Sequence, residues 1–216
     1  MGERHQIYVK LPKKFYNKEN GNNKRTCVIG IYHSSIWGHT AIRLLKNLVE
    51  YYQKSDQYCP LKYQNMEMAK NLLYNIYSTN ISQGYYHHNT LLNKEECTDP
   101  EFTTNNTGIT VIDLTTIGTL KYCFMSLNGI EGKEQVKTFT PLTATEYLLA
   151  YYPDFFSLEK RDEEDIILVK EIGELLNYIA DHSKLLTVKQ VHKIFPKAKF
   201  VKDYKAAQQQ LLEKVD

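Results

Sequence analysis

The chain lacks most of the short patterns by which a sequence announces its chemistry. Among its 216 residues there is no G-x-x-x-x-G-K-[ST], no G-x-G-x-x-G and no kinase signature, which disfavours ATP-driven chemistry of the usual kinds. H-E-x-x-H and G-x-S-x-G are missing too, so neither a helical zinc-protease site nor a nucleophile elbow is in place. The four cysteines, Cys27, Cys59, Cys97 and Cys123, form no C-x-x-C pair. Neither a structural zinc site nor a disulfide framework is indicated, and free thiols are expected. No apolar run approaches the roughly 20 residues of a membrane span, and no charged-then-apolar leader opens the chain. These absences predict a soluble, cytoplasmic protein with no membrane partner, no metal and no cofactor.

What is present belongs to a globular chain. Hydrophobic residues at 42% and charged residues at 24% are ordinary proportions, and the length suffices for one large domain or two small ones around a useful core. A net charge of +2 is too small to select a polyanion partner, but the charge is segregated. Between Arg4 and Arg25 stand Arg4, Lys10, Lys13, Lys14, Lys18, Lys24 and Arg25 against Glu19 alone, whereas EKRDEED at 159–165 is mostly acidic. Tyrosine is abundant, at 17 residues, alongside Asn, Lys and Ile. All four have AT-rich codons, so genome bias, as in an AT-rich bacterium or its phage, accounts for them better than an aromatic binding surface.

Periodicity gives an order of elements. In HQIYVKL, Ile7, Val9 and Leu11 alternate with Gln6, Tyr8 and Lys10, predicting a strand with one buried and one wet face. TCVIGIY, nearly all apolar or β-branched, predicts a more central strand. The two form an antiparallel hairpin around the basic loop 10–25. From His39 the period becomes helical, with Ile42, Leu45, Leu48, Val49 and Tyr52 on one stripe, and a second helix is expected at 65–79. Residues 80–107 read as irregular. GITVIDL and TLKYCFMSL predict a second hairpin, and QVKTFTPL an edge strand closed by Pro141. Thr143-x-x-Glu146 and Thr187-x-x-Gln190 read as capping boxes. They flank a long helix over 162–181 that begins with acidic residues, and Asp203 opens a last helix. The expected fold is α+β: an antiparallel sheet of four to five strands layered with helices. Residues 1–142 form the α+β core, with the second hairpin at 108–127. Residues 143–216 form a helical region packed on that core, or both belong to one domain.

One junction concentrates functional side chains. In GIYHSSIWGHTAIR at 30–43, a strand gives way to a helix through two histidines, two serines and the lone tryptophan. Strand ends and helix N-termini are where anionic ligands bind in α/β-type proteins. Ser34, Ser35 and Gly38 leave the backbone accessible there, Thr40 is a candidate N-cap, and Arg43 is placed to pair with phosphate. Tyr32 and Trp37 are candidates to stack on a base, and His5 lies one strand over. The bland alternative is a polar turn with Trp37 plugging the core.

His33-Ser34-Ser35-Ile36 and His88-Asn89-Thr90-Leu91 each match H-x-[ST] followed by an apolar residue. The pair resembles the twin motifs of the 2H phosphoesterases, whose histidines act as general base and general acid while the hydroxyls hold phosphate. The resemblance implies such roles for His33 and His88, because imidazole titrates near working pH. The family's middle position is normally apolar and is here Ser34 and Asn89, and the chain holds seven histidines, so no family is assigned from these motifs.

The sequence therefore predicts a small protein that binds a phosphorylated small molecule such as a nucleotide, and hydrolyses it if His33, His39 and His88 supply metal-independent acid–base chemistry. The contrasting expectation is a non-catalytic protein–protein adaptor or inhibitor encoded by a mobile element or phage, working through tyrosine-rich helices. A third is nucleic-acid binding through the basic loop, where Phe15 and Tyr16 sit among lysines.

Overall fold

The computed structural model describes residues 5–11, 27–33, 38–54, 89–91, 108–116, 119–125, 140–157, 161–199 and 201–202. The expected helices at 65–79 and after Asp203, residues 135–139 of the expected edge strand, and the basic loop beyond Leu11 lie outside them.

The two hairpins form where the alternation places them. β1 (His5–Leu11) pairs antiparallel with β2 (Cys27–His33), matching Ile7 with Ile31 and Val9 with Ile29. A three-residue strand, β3 (Asn89–Leu91), adds antiparallel to the outside of β2, within a stretch expected to be irregular. β4 (Ile109–Asp113) pairs antiparallel with β5 (Leu120–Met125). The hairpins meet through their first strands, so β1 and β4 run parallel. A short β6 (Ser183–Leu185) then adds parallel to β5. The order is β3-β2-β1-β4-β5-β6. The fold is α+β, but its sheet is mixed and six-stranded rather than antiparallel with four to five strands. The one parallel seam between the hairpins comes from joining them first strand to first strand in this orientation.

Helices cover both faces. On one side lie α1 (Gly38–Lys54), α2 (Ala144–Tyr151) and α3 (Glu163–His182). The apolar stripe of α1, including Ile42, Leu45, Leu48 and Val49, and Val169, Ile172, Leu176 and Ile179 of α3 join Ile7, Val9, Ile31, Ile112, Leu120 and Phe124 in one core. On the other side α4 (Val188–Ile194) and the turn after it bring Val191, Ile194, Phe195 and Ala198 against Tyr8, Val111, Cys123 and Met125. Tyr8, expected on a wet face, is therefore fully buried, its ring edge-on to Phe195 at 5.3 Å. β1 is central because β4 joins its far side. Cys123 is a free, buried thiol whose pKa burial pushes up, so it is a core residue rather than a nucleophile.

Both capping boxes form. The Thr143 hydroxyl accepts from the Glu146 amide while the Glu146 carboxylate accepts from the Thr143 amide, and Thr187 with Gln190 repeats the arrangement. Asp162 caps α3 through the Asp165 amide at 2.8 Å. No helix among the described residues is long and apolar enough to cross a membrane.

Candidate functional site

The sheet end where β1 begins and β2 finishes carries the described part of the expected site. Antiparallel register makes His5 the partner of His33, and His33 in turn the partner of Asn89. His88 directly precedes Asn89 in sequence, so both H-x-[ST] stretches abut neighbouring strands. α1 begins at Gly38, five residues after His33. Ser34, Ser35, Trp37 and His88 lie outside the described residues, as does the side chain of His33. Tyr32 is half-buried on β2.

Four of the expected site residues stand otherwise than expected. His5 was expected to face a ligand; instead it is fully buried, its Nε2 at 2.7 Å from the Thr110 hydroxyl and its Nδ1 at 3.5 Å from the Tyr147 hydroxyl. Its ring packs beside Phe124 and edge-on to Tyr147. Both ring nitrogens are thus occupied inside the core, because β4 brings Thr110 alongside β1. Gly38, expected to leave its backbone open, is buried, and a β-carbon there would stand 3.1 Å from the Tyr152 ring. Its missing side chain admits that tyrosine. Thr40, expected at the N-cap, is the third residue of the helix, which starts two residues earlier.

Arg43, expected to hold phosphate, forks both guanidinium nitrogens onto the Glu171 carboxylate of α3, Nη2 to Oε2 at 3.0 Å and Nη1 to Oε1. That hydrogen bond holds Glu171 below the usual carboxylate range. A bidentate pair across two helices fixes their rotation and offsets the charge that Arg43 was expected to offer a phosphate. Asp113, on β4, belongs to the opposite sheet face. It pairs with Lys10 at 3.2 Å and accepts from the Thr115 amide at 2.8 Å and the Thr115 hydroxyl. Sequence reasoning did not single out Thr110, Tyr147, Phe124 or Glu171. Thr110 was legible as an inward position of its strand, but nothing local joins Arg43 to a glutamate 128 residues on.

His39 is the titratable group that remains at the helix start. Burial, and then the Arg43 charge, depress its pKa, while Glu171 works the other way. It is therefore neutral at pH 7 and able to accept a proton. As pH falls below the ordinary imidazole value of about 6.5, the unfolded chain protonates here before the folded one. Stability is thus complete above that value and declines until the lower folded value is passed, with a slope of at most about 1.4 kcal/mol per pH unit. Urea midpoints at pH 7.5 and 5.5 should diverge less in His39→Gln than in the parent; equal divergence in both would reject His39 as a source of the acid sensitivity.

The first turn of α1 contains no acidic residue. Its amides, which have no acceptors within the helix, carry the positive end of the dipole at Gly38. Among the described residues no group of three or more metal-ligating side chains converges. The chain matches no model of a known family, no curated protein and no solved structure in comparison with each.

Proposed function

We propose that the chain binds a phosphorylated small molecule such as a nucleotide at the sheet end bounded by His33, Asn89 and the first turn of α1. The observation that carries this is the strand register: it aligns His33 with Asn89, one residue after His88, beside a helix start free of acidic side chains. The phosphate sits on the α1 amides with the Ser34 and Ser35 hydroxyls, and Tyr32 or Trp37 stacks on the base. His39, held neutral, accepts a proton from a ligand hydroxyl or water. Arg43 stays with Glu171, and His5 supports the site from within the core. Hydrolysis requires in addition that His33 and His88 lie on either side of the phosphorus, one giving and one taking a proton.

A thermal-shift screen of the full chain against mononucleotides, cyclic dinucleotides and adenine dinucleotides tests the reading. A ligand at 100 times its Kd adds about 2.7 kcal/mol, or a rise of about 5–10 °C at this size. The rise should be lost in Ser34→Ala/Ser35→Ala. His33→Ala should abolish turnover of any substrate while leaving the shift. No shift with any nucleotide would remove the proposal.

A further inference from the structure

We propose that the outward face of α3 docks a basic amphipathic helix of a partner protein, with Ile166 and Ile167 as apolar anchors and Gly173 as the point of closest approach. This is independent of the histidine-bearing sheet end. The buried stripe of α3 is Val169, Ile172, Leu176 and Ile179. At about 100° per residue, Ile167 lies some 200° from Val169, on the far side of the helix. It is 66% exposed, and Ile166 is 43% exposed. Ile167 leaves most of its side chain in water, and isoleucine forms helix less readily than Lys, Glu or Ala.

Gly173 supplies the second observation. It lies two turns beyond Ile166, at that edge of the exposed face and some 120° around the helix from Ile167, and a β-carbon there would meet nothing within 4 Å. The described chain therefore gains nothing from the missing side chain, although glycine within a helix is less stable than alanine. A second helix crossing this face would use that space, since small residues let helix axes approach closely.

Charge selects the partner. Glu163 and Glu164 precede Ile167 by one turn, Asp162 precedes Ile166, and Glu174 follows Ile167 by two turns; all are exposed. Lys170 is the only lysine or arginine of the helix, and Arg161 is engaged with the carbonyls of Asp154, Phe155 and Ser157. A second copy of the same face, or an anionic membrane, meets like charge; a helix carrying Lys or Arg around an apolar seam meets the opposite charge.

The test uses the full chain and a fluorescein-labelled Lys/Leu amphipathic peptide of about five turns, read by fluorescence anisotropy at about 0.15 M salt. Ile166→Ser/Ile167→Ser keeps the charge and should weaken binding about tenfold or more, as loss of interface anchors does, with Tm unchanged. Gly173→Ala should raise Tm by about 2–4 °C, and Gly173→Leu should weaken peptide binding at least as much as the double serine variant. No binding, or a Kd unmoved by the isoleucine and Gly173→Leu changes, overturns the proposal. Uptake by phosphatidylglycerol vesicles in place of the peptide, or dimerisation that Ile167→Glu reverses, overturns it equally.

Discussion

Phe124→Ala should cost the fold about 3–5 kcal/mol, the usual loss when a fully buried phenyl ring is deleted. The ring is stacked on Tyr147, with centroids 4.2 Å apart and planes 15° from parallel, and meets Tyr122 edge-on at 6.0 Å. Its neighbours are each held by their own polar contacts and cannot fall into the void. Tyr122 accepts the Ala144 amide at the start of α2 through its hydroxyl, and Tyr147 meets His5. The Phe124 backbone is fixed as well, exchanging hydrogen bonds of 3.0 and 2.8 Å with Leu142. A site that cannot collapse keeps its cavity, and the penalty then lies toward the upper end of the range. Such a loss is a large part of the roughly 5–15 kcal/mol by which a domain is stable. Urea unfolding should show a lower midpoint with an unchanged slope, and Phe124→Leu should recover about half of the loss. A cost below about 1.5 kcal/mol, the level of a tolerated volume change, would mean that the aromatic cluster does not hold α2 against the sheet.

That cluster also shows where sequence reading stops. Both hairpins, the α1 stripe, the two capping boxes and the long acidic-ended helix are encoded within windows of a few residues. A period of two, a change to 3.6 and a Thr-x-x-Glu are local signals, and the structure has each of them. The joining of β1 to β4 is decided by contacts across about a hundred residues, such as Gln6 with Ile109, for which no local pattern exists. Alternation made Tyr8 a surface residue because nothing local shows that α4 and Phe195 cover the second face of the sheet, and it made His5 a ligand contact because nothing local shows that β4 sets Thr110 beside it. β3 escaped notice for a related reason: three residues are too few to show alternation. The candidate site was legible as a location, since strand end, histidines and helix start are contiguous in sequence. Its wiring was not, because the partners of His5 and Arg43 come from β4, α2 and α3.

The pairing of His5 with Thr110 separates a packing histidine from a ligand contact. Thr110→Val removes the hydroxyl that lies 2.7 Å from Nε2 and replaces it with a methyl of the same shape. The Tyr147 hydroxyl, at 3.5 Å from the other ring nitrogen, is at the outer limit of a hydrogen bond and is a poor substitute. Burying that ring nitrogen without the hydroxyl should cost about 1–3 kcal/mol. His5→Leu should cost a comparable amount by stranding the Thr110 hydroxyl under the same core. The double variant His5→Leu/Thr110→Val has neither polar group, so its loss should fall short of the sum by about 0.5–3 kcal/mol, the coupling expected of residues in contact. Additive losses would mean that the two side chains do not depend on each other and that the short contact is not a stabilising bond. The same double variant bears on function. With the core restored and His5 gone, any nucleotide-induced rise in Tm should persist, because in the proposed site the ligand is held in front of His5 by Ser34, Ser35 and the α1 amides. A rise that disappears in a stably folded double variant would put His5 back among the ligand contacts and would require the sheet end to open for binding.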